Sequence, residues 1–409
     1  MLETGVVIRH AACVLPGGIS HEPLSMAGGY FCTTPAPGAL ELDLRDHLLF
    51  TGLVNAHDHL QLNCFPPYSG TEPFPNSYAW IEAFQEVMAT PEVAKARAIP
   101  IANRLWQGGL KNLLCGATTV AHHDPSHPIL EDAAFPVRVV RHFGWSHSLG
   151  LGMPDGARSL LTYGPPVTES FAATPPEQPW LIHLAEGTDA IAASELAKLD
   201  ALSCLAANTV LIHGVGLTDA DIDRLLAQGA AVVWCPTSNL NMLGTTIQPR
   251  RLLDAGRLAL GTDSRLTGAF DLLEEMRRAK TQGSLSGEEI LSLTTEAGGR
   301  LLRMPDIGGF EPGQQADLLI VRASRADPYE TLLGLHRGDI RAVVRGGKPA
   351  IADPDFVAWF AAAGISAASI RLDGRPKLCA TALLGPPGAA ELEPGLEVLE
   401  ELDAGTARP

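Results

Sequence analysis

The 409-residue chain has few aromatic residues and a deficit of basic charge. Aromatic residues make up 6% of the sequence, so the core has to be built mainly from Ala, Leu, Val and Ile. Lys and Arg number 30 against 46 Asp and Glu, which gives a formal net charge of −16 at pH 7. Because nucleic acids and anionic membrane surfaces bind basic patches, this balance argues against both kinds of partner.

The sequence also lacks long apolar runs, a leader segment and paired cysteines. Its longest apolar runs have the length of a strand, well below the ~20 residues that a membrane-spanning helix needs. Met1, Leu2 and Glu3 do not begin the basic and then apolar pattern of a signal peptide. The seven cysteines are scattered, and their spacing indicates neither a disulfide framework nor a cysteine zinc site. We therefore expect a cytoplasmic protein.

Strand-length apolar runs alternate with helical patterns through the middle of the chain. This alternation is typical of βαβ units and a parallel sheet, and it predicts an α/β fold with a TIM-like (β/α)₈ barrel, with allowance for distortion. Helical patterns lie at 93–114, 190–201, 219–227, 271–280 and 286–302. The predicted strands lie at 53–57, 117–122, 137–142, 180–184, 209–213, 231–235 and 258–262, with a weak eighth at 159–163.

Short strand patterns with turn signals bracket this region at both ends. We expect residues 1–50 and 305–352 to pair into one small β-sandwich, although they are far apart in sequence. Residues 51–304 are then expected to form the barrel. Residues 353–409 are expected to form a C-terminal helix and an acidic tail, which frays beyond residue 386.

A His-Asp-His motif closes the first strand of the predicted barrel. His57 and His59 are two positions apart, so on a strand both imidazoles face the same side. An isolated motif of this kind is more often a pair of surface loop histidines. Here it stands at the carboxyl end of a barrel strand, where barrel enzymes place their active sites.

Three more strands end in residues that can bind a metal. His183 and then Glu186 follow one apolar strand, His213 ends the next, and Asp263 follows the last. Taken singly, each histidine is more often a core or capping residue, and such an Asp is usually a helix N-cap. Their joint position on one face indicates chemistry instead.

Together these strand ends supply a ligand set for one metal ion. Three imidazoles and one carboxylate suit a divalent metal such as zinc, and one coordination position stays open for water. The metal ligands on this interpretation are His57, His59, His183 and Asp263. Glu186 then stands where a proton shuttle is needed.

Six stretches of the chain carry a family resemblance. They lie at residues 52–59, 116–120, 183–186, 235–240, 260–264 and 308–318, and include GLVNAHDH, HLAE and LGTDS. In this order they resemble the amidohydrolase superfamily, specifically its metal-dependent deaminase and chlorohydrolase branch with guanine deaminase and adenosylhomocysteine deaminase. The resemblance spans residues from about 1 to about 352.

The resemblance implies a role for each site residue. The four ligands would bind one divalent metal, zinc or iron, and His213 would orient water or substrate. Asp263 and the metal would activate water, and Glu186 would exchange protons with a ring nitrogen. The implied reaction is hydrolytic deamination of a heterocyclic or amidine-like small molecule. Imidazolonepropionase-like opening of a cyclic amide, or displacement of another leaving group, stays open as the alternative. A homodimer stays open by analogy with similar enzymes.

A missing lysine separates two subclasses of this superfamily. Binuclear members bridge two metals with a carboxylated lysine on the fourth barrel strand. No lysine stands between Lys111 and Lys198, the interval that must contain that strand. The sequence therefore predicts a mononuclear centre.

Further polar and aromatic residues are candidates for substrate contact. Gln61 lies two positions after His59, and Trp80 lies on a helical pattern after the first strand. The substrate-binding candidates are Gln61, Trp80, His123 and Asn239. Five histidines stay open between a polar pocket and ordinary solvated loops: His122, His123, His127, His142 and His147.

Overall fold

The computed structural model describes residues 5–150 and 163–401. Its strands, β1 to β21, are Val6–Arg9, Ala12–Leu15, Gly18–Ser20, Leu24–Ala27, Tyr30–Cys32, Leu40–Asp43, His47–Thr51, Leu53–Asp58, Ala117–His122, Arg138–Val139, Gly144–Ser146, Trp180–Leu184, Thr209–His213, Ala231–Trp234, Leu258–Leu260, Leu318–Arg322, Ala342–Arg345, Lys348–Ala352, Ala367–Leu372, Arg375–Ala380 and Leu396–Glu401. Its helices, α1 to α13, are Ser77–Val87, Pro91–Ala98, Ile101–Leu114, Val167–Ala173, Ala190–Ala201, Asp219–Gln228, Pro236–Leu243, Arg250–Asp254, Leu272–Gly283, Gly287–Leu293, Glu296–Leu301, Pro328–Leu333 and Val357–Ala362.

Eight parallel strands carry the candidate site. β8, β9 and β10 form one sheet, and β11 to β15 form a second sheet in chain order. β15 leads back to β8, because the backbone N–H groups of Thr262 and Asp263 donate to the carbonyl of His57. Within residues 5–150 and 163–401, no ladder joins β10 to β11. The α/β class predicted from the sequence is confirmed.

One strand differs from the sequence prediction. The strand before β12 is β11 rather than the predicted 159–163, of which 159–162 lie outside the described residues. β11 begins at Gly144, where a Cβ would stand 1.7 Å from Oγ1 of Thr174 at the end of α4. The glycine is required by this close approach, and it weakens the local strand signal.

Helix boundaries follow local chemistry. The predicted helix 93–114 is split into α2 and α3 at Pro100, which ends a helix because it has no N–H and restricts the residue before it. Thr218 caps the N-terminus of α6, and its hydroxyl accepts from the N–H of Asp221 in a capping box. Gly229 caps the C-terminus of the helix in the left-handed conformation.

Strands from both chain ends pair with one another. β7 pairs antiparallel with β16 across more than 260 positions of sequence, inside a sheet with the order β21-β19-β20-β18-β17-β16-β7-β2-β3. Four other N-terminal strands form a separate sheet with the order β5-β4-β1-β6. The expected pairing of the two terminal segments is thus present in β7 and β16.

The C-terminal segment is more ordered than the sequence suggested. The predicted helix is α13, and the strands β19 and β20 that follow it were not predicted. β21 lies beyond residue 386, where the acidic tail was expected to fray. The correction has a physical reason, because Glu393 is buried between the guanidinium groups of Arg265 and Arg337. A carboxylate paired in this way anchors the segment instead of solvating it.

The core is aliphatic with a few large anchors. Four of the six tryptophans are almost fully buried: Trp106, Trp180, Trp234 and Trp359. None of the helices in the described ranges is both long enough and apolar enough to cross a bilayer.

Candidate metal centre and cavity

Four ligand atoms converge at the carboxyl ends of β8, β12 and β15. Nε2 of His183 lies 3.2 Å from Nε2 of His59 and 3.3 Å from Nε2 of His57. Oδ1 of Asp263 lies 3.6 Å from the His59 nitrogen and 3.8 Å from the His57 nitrogen. A tetrahedral zinc site with bonds of ~2.0–2.1 Å has ligand–ligand edges of ~3.3 Å. The four separations above are close to such edges, so these atoms are candidate ligands of one divalent metal ion.

The outer nitrogens of two ligands fix where their lone pairs point. Nδ1 of His183 donates to the backbone carbonyl of His147 at 2.8 Å, and Nδ1 of His59 donates to Oδ2 of Asp124 at 2.6 Å. The Nε2 atoms of the two rings therefore face each other, and such an arrangement needs either a shared proton or a metal cation between them. Partners of this kind on the outer nitrogen are typical of metal-binding histidines.

Burial controls the charge of the histidine cluster. It lowers the pKa of His57 and of His183 well below the usual value, so both rings are neutral, as metal ligands must be. For His59 burial also lowers the pKa, but the charge and hydrogen bond of Asp124 outweigh it and raise the pKa to about 9. His59 therefore has the strongest attraction for a cation in the cluster.

Asp263 is held by its second oxygen. Oδ2 accepts hydrogen bonds from Ser238 Oγ and from Thr267 Oγ1, each at 2.7 Å, which leaves Oδ1 facing the histidines. The backbone of Asp263 has φ 58°, and His213 at the end of β13 has φ 75°. Left-handed backbone at non-glycine residues is costly and tends to occur at functional sites. Here it turns two side chains toward the same centre.

His213 and Glu186 form a second pair beside the ligands. His213 Nε2 lies 3.2 Å from Glu186 Oε1, and its Nδ1 donates to Oδ1 of Asn239 at 2.8 Å. Burial raises the pKa of Glu186, although the neighbouring His213 opposes this shift. The raised pKa makes Glu186 a better proton donor near neutral pH.

A cavity of about 630 Å³ opens onto these groups. Its polar wall includes five of the predicted site residues: His59, His183, Glu186, His213 and Asp263. Gln61 also lines the cavity, donates to Asp124 at 2.6 Å, and has a buried Oε1 with no hydrogen-bond partner among the described residues. Trp80 lines it as well and stacks on Phe84.

Two predicted substrate contacts lie behind the cavity wall instead. The amide of Asn239 is engaged on both sides, because it accepts from His213 and donates to Thr246 Oγ1 at 3.0 Å. His123 is fully buried, and its Nε2 donates to the carbonyl of Ser146. Neither residue is part of the cavity wall, and each contacts residues that are. A role in substrate contact stays a prediction for both.

The remaining histidines separate into different places. His122, His127 and His147 line the same cavity as the candidate metal ligands. His142 instead lines a second cavity of about 420 Å³. His123 forms a second possible ligand group with His57 and His183, with ligand atoms within 4.8 Å of one another. That group has no carboxylate, and His123 does not reach the cavity.

A buried ion pair that sequence reasoning missed lies directly beneath the ligands. Lys111 Nζ donates to Asp58 Oδ2 at 3.0 Å and to Thr262 Oγ1 at 3.1 Å, and both charged side chains are fully buried. Asp58 also accepts from three amides: Asn55, Asn63 and Asn112. Asp58 stands between two ligand histidines, and Thr262 precedes Asp263. The one sequence feature that pointed to this pair was the acid inside the His-Asp-His motif, but its partner Lys111 could not be identified from sequence.

Comparisons with known proteins agree with this geometry. A model of the amidohydrolase family matches residues 172–350. A 5-methylthioadenosine/S-adenosylhomocysteine deaminase of Haloarcula marismortui is 25% identical over 385 residues, which cover 81% of this chain and 88% of the relative. An 8-oxoguanine deaminase of Pseudomonas aeruginosa is 26% identical over 374 residues, 73% of this chain and 80% of the relative.

Solved structures share the fold. An adenosine deaminase from Xanthomonas campestris with bound zinc matches with a TM-score of 0.67 at 21% identity, over 88% of this chain and 97% of that chain. A guanine deaminase from C. acetobutylicum with bound guanine matches with a TM-score of 0.65 at 17% identity, over 85% of this chain and 100% of that chain.

Proposed function

We propose that this chain, which belongs to the amidohydrolase superfamily and is a hydrolase acting on carbon–nitrogen bonds, is a mononuclear metal-dependent aminohydrolase. Its substrate is a small nitrogen heterocycle or amidine-like compound that carries an exocyclic amine. The observation that carries the proposal is the convergence of three imidazole nitrogens and one carboxylate oxygen beside a buried Glu186, at a cavity whose wall includes all of these residues except the fully buried His57. The two curated relatives are named as deaminases of adenosyl compounds and of 8-oxoguanine, which supports the reaction class.

The metal ligands are His57, His59, His183 and Asp263, and zinc suits this set best, with iron as the other candidate. A divalent metal bound there supplies a Lewis acid that lowers the pKa of water from about 15.7 to near 7. The absence of lysine between Lys111 and Lys198 supports a single ion, because no lysine is available there to bridge two. Lys111 itself is engaged by Asp58 and Thr262.

Asp263 and Glu186 divide the proton transfers. Asp263 accepts a proton from the attacking water, and its fixed orientation comes from Ser238 and Thr267. Glu186 donates its proton to the ring nitrogen next to the carbon under attack, so negative charge does not accumulate there. His213, held by Asn239 through Nδ1, has Nε2 3.2 Å from Glu186 Oε1 and orients the water or the substrate beside that acid.

All protons that move during one turnover are accounted for. A C–O bond forms between water and the ring carbon, and the C–N bond to the exocyclic amine then breaks. The amine leaves as ammonia with the proton that Asp263 had accepted. The proton left on the new oxygen returns to Glu186 as the carbonyl forms, which restores the starting state of both acids.

A screen for ammonia release tests this proposal. Zinc-loaded protein is incubated with amino-substituted purines, pyrimidines, pterins, triazines and adenosyl compounds, and Asp263→Asn is the matched inactive control. We expect ammonia from at least one class and none from the variant. Ammonia release that persists in Asp263→Asn would contradict the assignment of the base. A hydrolysis product formed without ammonia would favour ring opening or another leaving group.

A further inference from the structure

An arginine without an acidic partner faces the cavity of the metal centre. Arg104 lies in the first turn of α3, and Arg97 lies near the end of α2; both line that cavity. The buried Nε of Arg104 has no hydrogen-bond partner, and neither guanidinium makes a salt bridge within the part of the chain that the structure describes. In a chain with 46 acidic residues, such a cation is unusual.

The acids of the cavity are already committed elsewhere. Asp124 accepts from His59 and Gln61, and Asp263 accepts from two hydroxyl groups. Glu186 lies against His213. None of the three carboxylates contacts Arg104, whose electrostatic neighbours are Cys64 and Arg97. Burial and the second arginine lower the pKa of Arg104, so its cationic form is left without compensation.

The position of Arg104 is fixed by the fold. α3 precedes β9 and runs back along it, so its first turn lies at the carboxyl end of the sheet, on the side of the metal ligands. Gly108, one turn further on, sits against Leu60, where an added Cβ would lie 2.3 Å from the backbone oxygen. The Arg104 guanidinium stands 5.6 Å from the centre of the Phe65 ring, which holds the cation by a cation–π contact.

Apolar side chains line the same cavity. Trp80 and Phe84 stack with ring centres 5.1 Å apart, and Leu105 adds to the wall beside Arg104. The cavity thus offers a metal centre, an aromatic surface and a cation without a counter-charge. A ring with an acidic substituent satisfies all three groups.

We propose that Arg104, assisted by Arg97, binds an anionic substituent of the substrate, a carboxylate or a phosphate, while the ring reacts at the metal centre. The fork of a guanidinium matches two oxygens of either anion. This inference rests on the proposed function and narrows its substrate class to amino-heterocycles with an acidic side group.

Matched pairs of probes test the inference. S-adenosylhomocysteine is compared with 5′-methylthioadenosine, and adenosine 5′-monophosphate with adenosine, by calorimetric binding to the zinc-loaded protein and by ammonia release. We expect tighter binding of the acidic member of at least one pair, and Arg104→Gln should reduce that preference about 10- to 100-fold. The first pair reports a carboxylate and the second a phosphate.

Two controls separate charge from shape and from folding. Arg104→Lys should keep part of the preference, because it retains the charge but loses the fork. Arg371→Gln alters an exposed arginine of β19 that pairs with Glu397, and should leave the preference unchanged. Raising the salt concentration should weaken only the binding of the acidic probes.

The possible failures are distinguishable. If wild type shows no preference for either acidic probe, or if Arg104→Gln leaves the preference unchanged, the anion site is refuted while deamination can still stand. If the acidic probes bind with the expected preference but no ammonia is released from any compound of the screen, the proposed reaction is refuted while the anion site stands.

Discussion

The buried pair of Lys111 and Asp58 should couple the stability of the fold to the metal centre. Lys111→Met removes the cation and leaves the Asp58 carboxylate fully buried. At 3.0 Å the attraction between the charges is about 5–6 kcal/mol at an effective dielectric constant of ~20. Breaking such a pair usually costs about 3–5 kcal/mol. We expect about 3 kcal/mol, since three amides and Thr262 still donate to Asp58.

A double-mutant cycle isolates the pair. Asp58→Asn leaves Lys111 buried without its counter-charge, and should cost a similar amount. Asp58→Asn combined with Lys111→Met removes both charges, so it should cost clearly less than the sum of the single variants. The free energy of unfolding is measured by urea titration with tryptophan fluorescence at a fixed zinc concentration. The reasoning is refuted if Lys111→Met lies within about 0.5 kcal/mol of wild type, or if the double variant equals the sum.

Three further predictions concern single substitutions. Burial raises the pKa of Glu275 from 4.5 to about 8, so the folded chain keeps a proton there that the unfolded chain releases between these values, and stability falls as the pH rises through this window. Glu275→Gln should therefore be about 2–4 kcal/mol more stable than wild type at pH 8 and lose this advantage toward pH 5 in urea unfolding; an equal advantage at both pH values would contradict the assignment. Asp124→Asn removes the charge beside His59 and should weaken zinc binding about 10–100-fold, measured by competition with a chromophoric chelator; unchanged affinity would argue against the pair. Glu186→Gln cannot donate a proton and should lower kcat about 10²–10⁴-fold at full zinc occupancy, whereas a change confined to KM would be evidence against proton transfer.

The convergence of the ligand residues could be predicted because it depends on local signals. Each of His57, His183 and Asp263 ends or follows an apolar strand-length run, and parallel strands bring their carboxyl ends to one edge. His183 Nε2 lies 3.2 and 3.3 Å from the Nε2 atoms of His59 and His57, and Asp263 Oδ1 lies 3.6 and 3.8 Å from the same two nitrogens. Their role as ligands remains a proposal, but their meeting point follows from the strand pattern.

What sequence reasoning missed depends on partners that are distant in the chain. β11 needs a glycine at position 144 because Thr174 packs closely against that residue. This contact cannot be predicted from the sequence of residues 144–146 alone. From sequence alone Glu393 is expected to be a solvated acid, but in the structure it forms salt bridges with Arg265 and Arg337. Arg104 is unusual because no acidic side chain pairs with it among the residues that the structure describes. The sequence shows which side chains are charged, but the fold determines which oppositely charged groups lie next to them.

Metal binding by the purified protein tests the central claim most directly. The chain is stripped with a chelator, titrated with zinc, and its bound metal is counted by mass spectrometry, with His183→Ala as the control. One equivalent of zinc per chain should bind in the wild type and be lost in the variant. No stable zinc binding, or one equivalent that is retained in His183→Ala, would contradict the account.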